Sequence, residues 1–213
     1  NIMKKIKVWD IPTRLFHWAL LIGVAFMWYS SGDFDLMEYH MIIGRLILCM
    51  LVFRIVWGFV GSTTARFTDF IRSPISGIRY LFGRDSSRTE GHNPAGGWMI
   101  LALMLVLLTQ AVTGLFADDD IFYSGPFFLS VDADLADWLN GLHHQNIDYL
   151  WVLIGIHVLA SIVYQIRGKN LIGSMLTGNK QAEETVEAPE MRSPWLALAI
   201  FCVICGLGYY FMW

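Results

Sequence analysis

Charged residues are scarce in this chain. Asp, Glu, Lys and Arg make up 15% of its 213 residues, against about a quarter in ordinary soluble domains. Hydrophobic residues account for 55%, and the mean hydropathy is +0.50. This composition excludes an ordinary soluble domain and predicts an integral membrane protein in contact with lipid. The formal net charge of −3 argues against a nucleic-acid partner.

Cysteine is also rare, and its positions exclude a disulfide framework. Cys49, Cys202 and Cys205 all lie inside apolar stretches, where a thiol usually behaves as a small buried hydrophobic group. Nothing charged surrounds the CxxC spacing of Cys202 and Cys205, so this motif gives little indication of redox chemistry. No cleavable signal peptide is predicted, because the first apolar run is long enough to span a bilayer and lacks an A-x-A-like site.

Five apolar runs are long enough to cross a bilayer core, for which about 20 helical residues suffice. Trp and Tyr cluster near the ends of these runs, where aromatic rings favour the membrane interface. The predicted fold class is therefore all-α: an integral membrane helix bundle, with a four-helix core in 1–180, a polar linker at 181–193 and a fifth transmembrane helix. The predicted spans lie near 13–31, 40–60, 97–117, 143–166 and 194–213.

The charges of the loops predict the orientation of these spans. Basic residues concentrate in the N-terminal segment, the 61–96 loop and the segment after the fourth span, which we expect on the cytoplasmic side of a bacterial inner membrane. The 32–39 and 118–142 loops contain acidic residues but no Lys or Arg, so we expect them and the C-terminus in the periplasm. The linker before the fifth span is predicted to be a flexible strap. The basic residues are Lys4, Lys5, Lys7, Arg14, Arg66, Arg72, Arg79, Arg84, Arg88, Arg167, Lys169 and Lys180, and the acidic ones are Asp33, Asp35, Glu38, Asp118, Asp119, Asp120, Asp132, Asp134 and Asp137.

The fourth apolar run carries histidines at its start and beyond its middle. The 14 residues from His143 to His157 make nearly four helical turns, so the two side chains lie about 40° apart on one face and about 21 Å apart along the axis. His144 lies about 140° from His157, so helical phase favours His143 and leaves His144 as the alternative. The predicted topology puts His17 at the inner level with His157, and His40 at the outer level with His143.

Two histidines at each membrane level predict two haem sites. A neutral imidazole on each side of a porphyrin gives six-coordinate iron. The pairs His17/His157 and His40/His143 would then form an electron path through the bilayer. For any single histidine the alternative is a solvated ring at the membrane interface. His92, in the sequence GHNPAG, is expected to cap a helix or fix a loop.

Other residues have a spacing that suits a haem site. Gly44 lies one turn after His40, where the missing side chain would let a flat macrocycle approach the backbone, although close helix packing would also explain it. Arg54 follows His40 by 14 residues and Arg14 precedes His17 by one turn, so each could pair with propionates. Snorkelling to the membrane surface is the alternative for Arg54.

Three further polar residues lie inside apolar runs. Gln110 and Thr113 in the third run are expected to hydrogen-bond a neighbouring helix or a bound quinone. Arg45 has no readable role, because it points about 140° away from His40.

Four stretches resemble, in motif, order and spacing, the prokaryotic cytochrome b561 family, which is akin to the b-type subunits of nickel hydrogenases. The resemblance covers roughly residues 8–180 and implies a four-helix core that binds two haem b groups through the two histidine pairs. It also implies electron exchange between the quinone pool and a redox partner. The family usually has LHE where this chain has Leu142, His143 and His144, so His144 occupies an acidic position. The stretches are VWDIPTRLFHW, YHMIIGRLILCMLVFRIVWGFVGSTTARFTDF, GHNPAGGWMILALMLVLLTQAVTGLFADDD and LHHQNIDYLWVLIGIHV.

The predicted function is transmembrane electron transfer by a di-haem b-type cytochrome of a respiratory chain. Electrons would pass between quinone or quinol in the membrane and a periplasmic redox protein. The acidic outer loops favour a basic partner such as a c-type cytochrome. The sequence leaves open whether the protein acts as a quinone/quinol oxidoreductase. Two alternatives from other classes are a proton or metal-ion transporter that uses the intramembrane histidines and a haemless membrane anchor subunit.

Overall fold

The computed structural model describes residues 3–82 and 91–213, and most of them are helical. Among these residues five helices are long and apolar enough to cross a membrane: Ile11–Ser30, Phe34–Val60, Pro94–Gly114, Ala133–Ile166 and Pro194–Met212. The predicted fold class, an all-α integral membrane bundle with a fifth C-terminal helix, is confirmed. In chain order the elements are β1 (Met3–Lys7), α1 (Ile11–Ser30), α2 (Met37–Val60), α3 (Phe67–Phe70), α4 (Pro74–Leu81), α5 (Pro94–Gly114), α6 (Ala133–Ile166), α7 (Leu171–Thr177), β2 (Asn179–Glu183) and α8 (Pro194–Met212).

Four of the five membrane helices begin earlier than their apolar runs predict, and α6 differs most. Helix α6 begins at Ala133 rather than near residue 143, because the side chain of Asp132 accepts a hydrogen bond from the Leu135 amide (3.0 Å) and caps the helix. Its 34 residues reach about 51 Å, well beyond the roughly 30 Å of a bilayer core. Helix α5 begins at Pro94, and the Asn93 side chain accepts from the Gly96 amide (2.7 Å).

The contacts between residues divide the chain into two compact units. The first unit comprises Asn1–Leu15, Arg54–Ala102 and Leu153–Leu198, and the second comprises Phe16–Phe53, Leu103–Val152 and Ala199–Trp213. The segments predicted to be cytoplasmic from their Lys and Arg content fall in the first unit, and both acidic loops fall in the second. Two of those arginines, Arg84 and Arg88, lie outside the described residues.

In the first unit, a small antiparallel sheet joins two segments that are distant in the sequence. Strand β1 pairs with β2 from Met3 opposite Glu183 to Lys7 opposite Asn179. The amides of Val8 and Trp9 then donate to the carbonyl of Gly178 (2.8 and 3.1 Å). The apolar side chains Ile6, Val8, Trp9 and Ala182 are buried together beside this sheet.

The linker at 181–193 is held in place rather than loose. Its first three residues belong to β2, and further along the Glu190 carbonyl accepts from the Thr63 amide (3.0 Å). The Arg192 amide donates to the Ser62 hydroxyl (2.9 Å). The expectation of a flexible strap is therefore wrong. Polar composition alone does not reveal backbone hydrogen bonds to a distant loop.

His92 fixes a loop of the first unit, as one of its two expected roles required. Its ring packs between those of Trp9 (4.8 Å between centroids) and Phe70 (5.0 Å). The capping role belongs to its neighbour Asn93.

A buried carboxylate connects the start of α1 to the end of α2. Asp10 is only 2% exposed, and its two oxygens accept from the Thr13 amide (2.8 Å) and from the Trp57 indole nitrogen (2.9 Å). Its charge also attracts the buried guanidinium of Arg54. Asp10 thus caps α1, satisfies a buried indole and partly balances a buried cation.

In the second unit, the last helix, α8, packs antiparallel along α2. The ring of Phe201 meets that of Phe53 (5.8 Å between centroids), and Gly208 leaves space for the sulfur of Cys49. The guanidinium of Arg45 lies over the ring of Trp213, 4.9 Å from its centroid. This cation–π contact gives a role to an arginine that had none from the sequence. All three cysteines are free thiols, as expected.

The loop between α5 and α6 is shaped by one aspartate. The Oδ1 atom of Asp119 accepts from the amides of Ile121, Phe122 and Tyr123, at 3.0, 2.9 and 2.8 Å. The hydrogen bond from the Tyr123 amide, followed by the other two, lowers the pKa of Asp119 below its ordinary value. This turn exposes the side chains of Ile121 and Phe122.

We expect Asp10→Ala to destabilise the protein by about 2–4 kcal/mol, because it removes a helix cap worth about 1 kcal/mol and leaves a buried indole N–H without its acceptor. Thermal unfolding of the purified protein in detergent, followed by near-UV circular dichroism, measures the effect.

Asp69→Ala is the matched control. It removes a carboxylate that pairs with Arg66 at 2.6 Å on the surface, a contact worth less than about 1 kcal/mol. Equal losses of stability in the two variants would contradict the structural role of Asp10.

Candidate functional site

His40 lies in the first turn of α2, and its ring orientation is fixed by a serine of α1. The Nδ1 atom is 2.9 Å from the hydroxyl oxygen of Ser30, and that hydroxyl is 2.8 Å from the carbonyl of Phe26. In the tautomer that carries its proton on Nδ1, His40 donates to this oxygen while the Ser30 hydroxyl donates to Phe26. The Nε2 atom of the neutral ring is then left with a free lone pair.

His143 lies on α6 and is fixed in the same sense by α5. Its Nδ1 is 3.0 Å from the carbonyl oxygen of Gln110, which can only accept, so Nδ1 carries the proton. The amide of Gln110 donates in return to the carbonyl of His143 (2.9 Å). Asn146 donates to Gln110 Oε1 and to the Val106 carbonyl (both 2.9 Å). Of the two expected partners for Gln110, a neighbouring helix is the one observed.

Both rings line one cavity in the second unit, with a volume of about 320 Å³, within the range of small-molecule sites. Its walls come from α1, α2, α5, α6 and the loop that follows α5. The structure therefore brings together the two histidines that were predicted to share the outer level.

Two glycines keep this cavity open. Gly44 lines it one turn after His40, and a side chain there would begin 3.3 Å from the Met27 methyl group. Gly114 lies on α5 against the ring of His143, where an added Cβ would be only 3.0 Å from Cε1. The cavity thus depends on missing side chains on two helices.

The neighbouring His144 also reaches this cavity but is held differently. Its ring meets that of His143 edge-on, with centroids 5.8 Å apart. The residue is exposed, whereas His143 is half-buried.

The two inner histidines belong to different units. His17 is half-buried on α1, with its ring edge-on to that of Trp18 (4.8 Å between centroids). His157 is half-buried on α6, and its carbonyl accepts from the Ser161 hydroxyl (2.8 Å). Their pairing stays a prediction from helix geometry.

Both arginines predicted to meet propionates lie in the first unit. Arg54 is 3% exposed and lies over the rings of Phe67 (5.3 Å) and Phe70 (5.9 Å). Its Nη1 atom is buried and has no hydrogen-bond partner among the described residues.

Arg14 instead uses its guanidinium at the end of α7. Its Nε donates to the carbonyl of Met175 (3.3 Å), and its Nη2 donates to the carbonyl of Leu176. These hydrogen bonds satisfy carbonyls at the C-terminal end of α7 that have no partner within the helix. For both arginines the propionate contact stays a prediction.

Three residues of the outer site were not predicted from the sequence: Ser30, Gly114 and Asn146. Asn146 and Gly114 follow His143 and Gln110 by three and four residues, and thus repeat those polar positions on the same helix faces. That spacing could have indicated them. Ser30 ends a span, where a serine is unremarkable, and only its contact with His40 reveals it.

This arrangement places two imidazole rings at one mainly apolar cavity. Neutral imidazoles are good ligands for transition metals, including haem iron. Two of them match the axial requirement of a metal whose other four ligands come from a flat macrocycle. Among the described residues, no three His, Cys, Asp or Glu side chains are grouped so that they could hold a metal ion.

Known proteins resemble this chain over most of its length. A family model described as prokaryotic cytochrome b561 matches residues 8–178. A probable Ni/Fe-hydrogenase B-type cytochrome subunit from Rhizobium leguminosarum bv. viciae is 24% identical over 83% of this chain and 89% of its own length. One of the same name from Bradyrhizobium diazoefficiens is 23% identical over 82% of this chain and 85% of its own length. The family match covers most of the chain and confirms the resemblance, so the protein belongs to the prokaryotic cytochrome b561 family.

Proposed function

We propose that this protein is a di-haem b-type cytochrome that passes single electrons across the bacterial inner membrane, between the quinone pool and a periplasmic redox partner. The family implies a b-type haem, and the haem, when bound, supplies the one-electron chemistry. The observation that carries the proposal is the pair His40 and His143, which line one cavity with both Nδ1 protons engaged.

The outer haem is assigned to His40 and His143. Each Nδ1 lies beside an acceptor, an arrangement that fixes the tautomer and orientation of a metal ligand and would leave Nε2 for the iron. The side-chain amide of Gln110, 3.5 Å from Nε2 of His143, would turn away when the iron binds. Gly44 and Gly114 would let the macrocycle approach the helix backbones. His143 is preferred to His144 because only His143 combines the favourable helical phase with a half-buried, hydrogen-bonded ring.

The inner haem is assigned to His17 and His157 on the basis of the helix rise. The buried Nη1 atom of Arg54 has an unused donor, which suits a propionate, since a buried guanidinium gains from a carboxylate partner. Arg14 has fewer donors left for a propionate than Arg54, because two of its donors already bind carbonyls.

The acidic loops of the second unit are assigned to the periplasmic side, with the N-terminus cytoplasmic and the C-terminus periplasmic. Their exposed carboxylates would steer a basic protein such as a c-type cytochrome. The relatives are named as subunits of Ni/Fe-hydrogenases, so an enzyme of that kind is the second candidate partner. Quinone or quinol is the proposed membrane substrate, which would make the protein a quinone/quinol oxidoreductase.

We expect the purified protein to contain two haem b groups, seen in a reduced-minus-oxidised spectrum and counted by a pyridine haem assay. His40→Ala and His143→Ala should each reduce the haem-to-protein ratio from two to one, because each removes an axial ligand of the same haem. His17→Ala and His157→Ala should each remove the other haem.

His144→Ala is the matched control and should retain both haems. Loss of the outer haem in His144→Ala, with retention in His143→Ala, would reverse the assignment of the outer ligand. A colourless protein from haem-replete cells would rule out the cytochrome and favour the transporter or the anchor subunit.

We expect electron transfer to a basic c-type cytochrome to slow severalfold at low salt in the triple variant Asp120→Asn, Asp134→Asn, Asp137→Asn. These carboxylates are exposed, and long-range steering is screened once the Debye length falls to about 10 Å at 0.1 M salt. Stopped-flow oxidation of the reduced protein at several ionic strengths measures the rate.

Asp33, Asp119 and Asp132 are left intact in this variant, because they accept backbone hydrogen bonds that shape the loops. The control is Asp69→Asn, which lies in the first unit. A wild-type rate that does not depend on salt would argue against an acidic docking surface.

A further inference from the structure

We propose that Ser30 is a positioning residue for the outer haem: its hydroxyl holds the Nδ1–H of His40 and thereby sets the ligand strength of that imidazole. The inference rests on the proposed function, since it concerns His40 as an axial ligand. It adds a residue of α1 that does not itself line the cavity.

The Ser30 hydroxyl lies between His40 and two carbonyls of its own helix, of which Phe26 is nearer than Met27 (3.4 Å). Ser30 is the last residue of α1 and is completely buried. Its oxygen is 2.8 Å from the Phe26 carbonyl and 2.9 Å from His40 Nδ1. An imidazole that binds iron through Nε2 carries its proton on Nδ1, so in the proposed site the hydroxyl accepts from His40 and donates to Phe26. The chain of bonds therefore runs from His40 through Ser30 to the backbone of α1.

The bond matters because of where it lies. An unpaired polar group in an apolar interior is costly, so without Ser30 the Nδ1–H of His40 would favour another ring orientation or the other tautomer. Either change would turn Nε2 away from its metal-binding state. An acceptor on Nδ1–H also raises the basicity of the imidazole, which favours the oxidised metal.

The two outer ligands are held by acceptors of different kinds. His143 uses the main-chain carbonyl of Gln110, which no substitution can remove. His40 uses the side chain of Ser30, and the backbone of Met27 is a second partner. The hydrogen bond of His40 is consequently the one through which a single substitution can tune the outer haem without deleting a ligand.

The test is a redox titration of purified Ser30→Ala. We expect one haem transition to move to a more positive potential and the other to stay unchanged. At a fixed potential, the ratio of reduced to oxidised outer haem should rise severalfold, up to about tenfold, which equals about 59 mV for one electron. The low-spin ferric EPR signal of that haem should shift as well, and Ser30→Thr, which keeps the hydroxyl, should restore both values.

Thr109→Val is the matched control. The Thr109 hydroxyl also donates to the carbonyl four residues back (2.9 Å to Leu105), but Thr109 does not line the cavity. Its removal should leave both potentials unchanged.

Selective loss of the outer haem from Ser30→Ala supports the positioning role, because removal of such a hydrogen-bond partner commonly weakens metal binding about 10–100-fold. Two retained haems with wild-type potentials and EPR signals would overturn it, while the proposed function would stand. If Ser30→Ala loses both haems, Ser30→Cys, with a weakly accepting sulfur, is judged by the same criteria. A wild-type protein without haem would instead defeat the proposed function.

Discussion

The Nδ1–H group of a histidine inside a membrane needs an internal acceptor, and the second unit is arranged around this need. Water cannot supply the acceptor in the hydrocarbon region, so a neighbouring helix must do so. For His40 the acceptor joins α2 to α1, and for His143 it joins α6 to α5. The hydrogen bonds that orient the rings are therefore also the bonds that hold the helices together in pairs.

The arginines inside the spans also need partners within the protein, and aromatic rings supply them. Arg45 lies over Trp213, and Arg54 lies over Phe67 and Phe70. A guanidinium can be placed against an aromatic face because it is weakly hydrated and planar. Each arginine still keeps one buried nitrogen without a hydrogen-bond partner among the described residues. Aromatic rings thus stabilise these charges without using up their capacity to bind an anion.

The sequence predicted the membrane helices well because their length and apolar character are local properties. It also predicted that His40 and His143 would lie at one level, since helix rise and loop charge carry that information. It could not predict Ser30, whose role depends on a contact between two helices. The early start of α6 at Ala133 was missed because residues 133–142, with Asp134, Asp137 and Asn140, lack a continuous apolar signal. The linker at 181–193 was misjudged because its hydrogen bonds reach a distant loop.

The pairing of β1 with β2 constrains how the chain can fold during synthesis. The two strands lie before α1 and after α7, so β1 leaves the ribosome long before its partner exists. At 5–20 residues per second the delay is on the order of ten seconds. During that time the apolar side chains of Ile6 and Val8 have no sheet to cover them. Formation of this sheet is therefore a late step, and it becomes possible only after four membrane helices have been made.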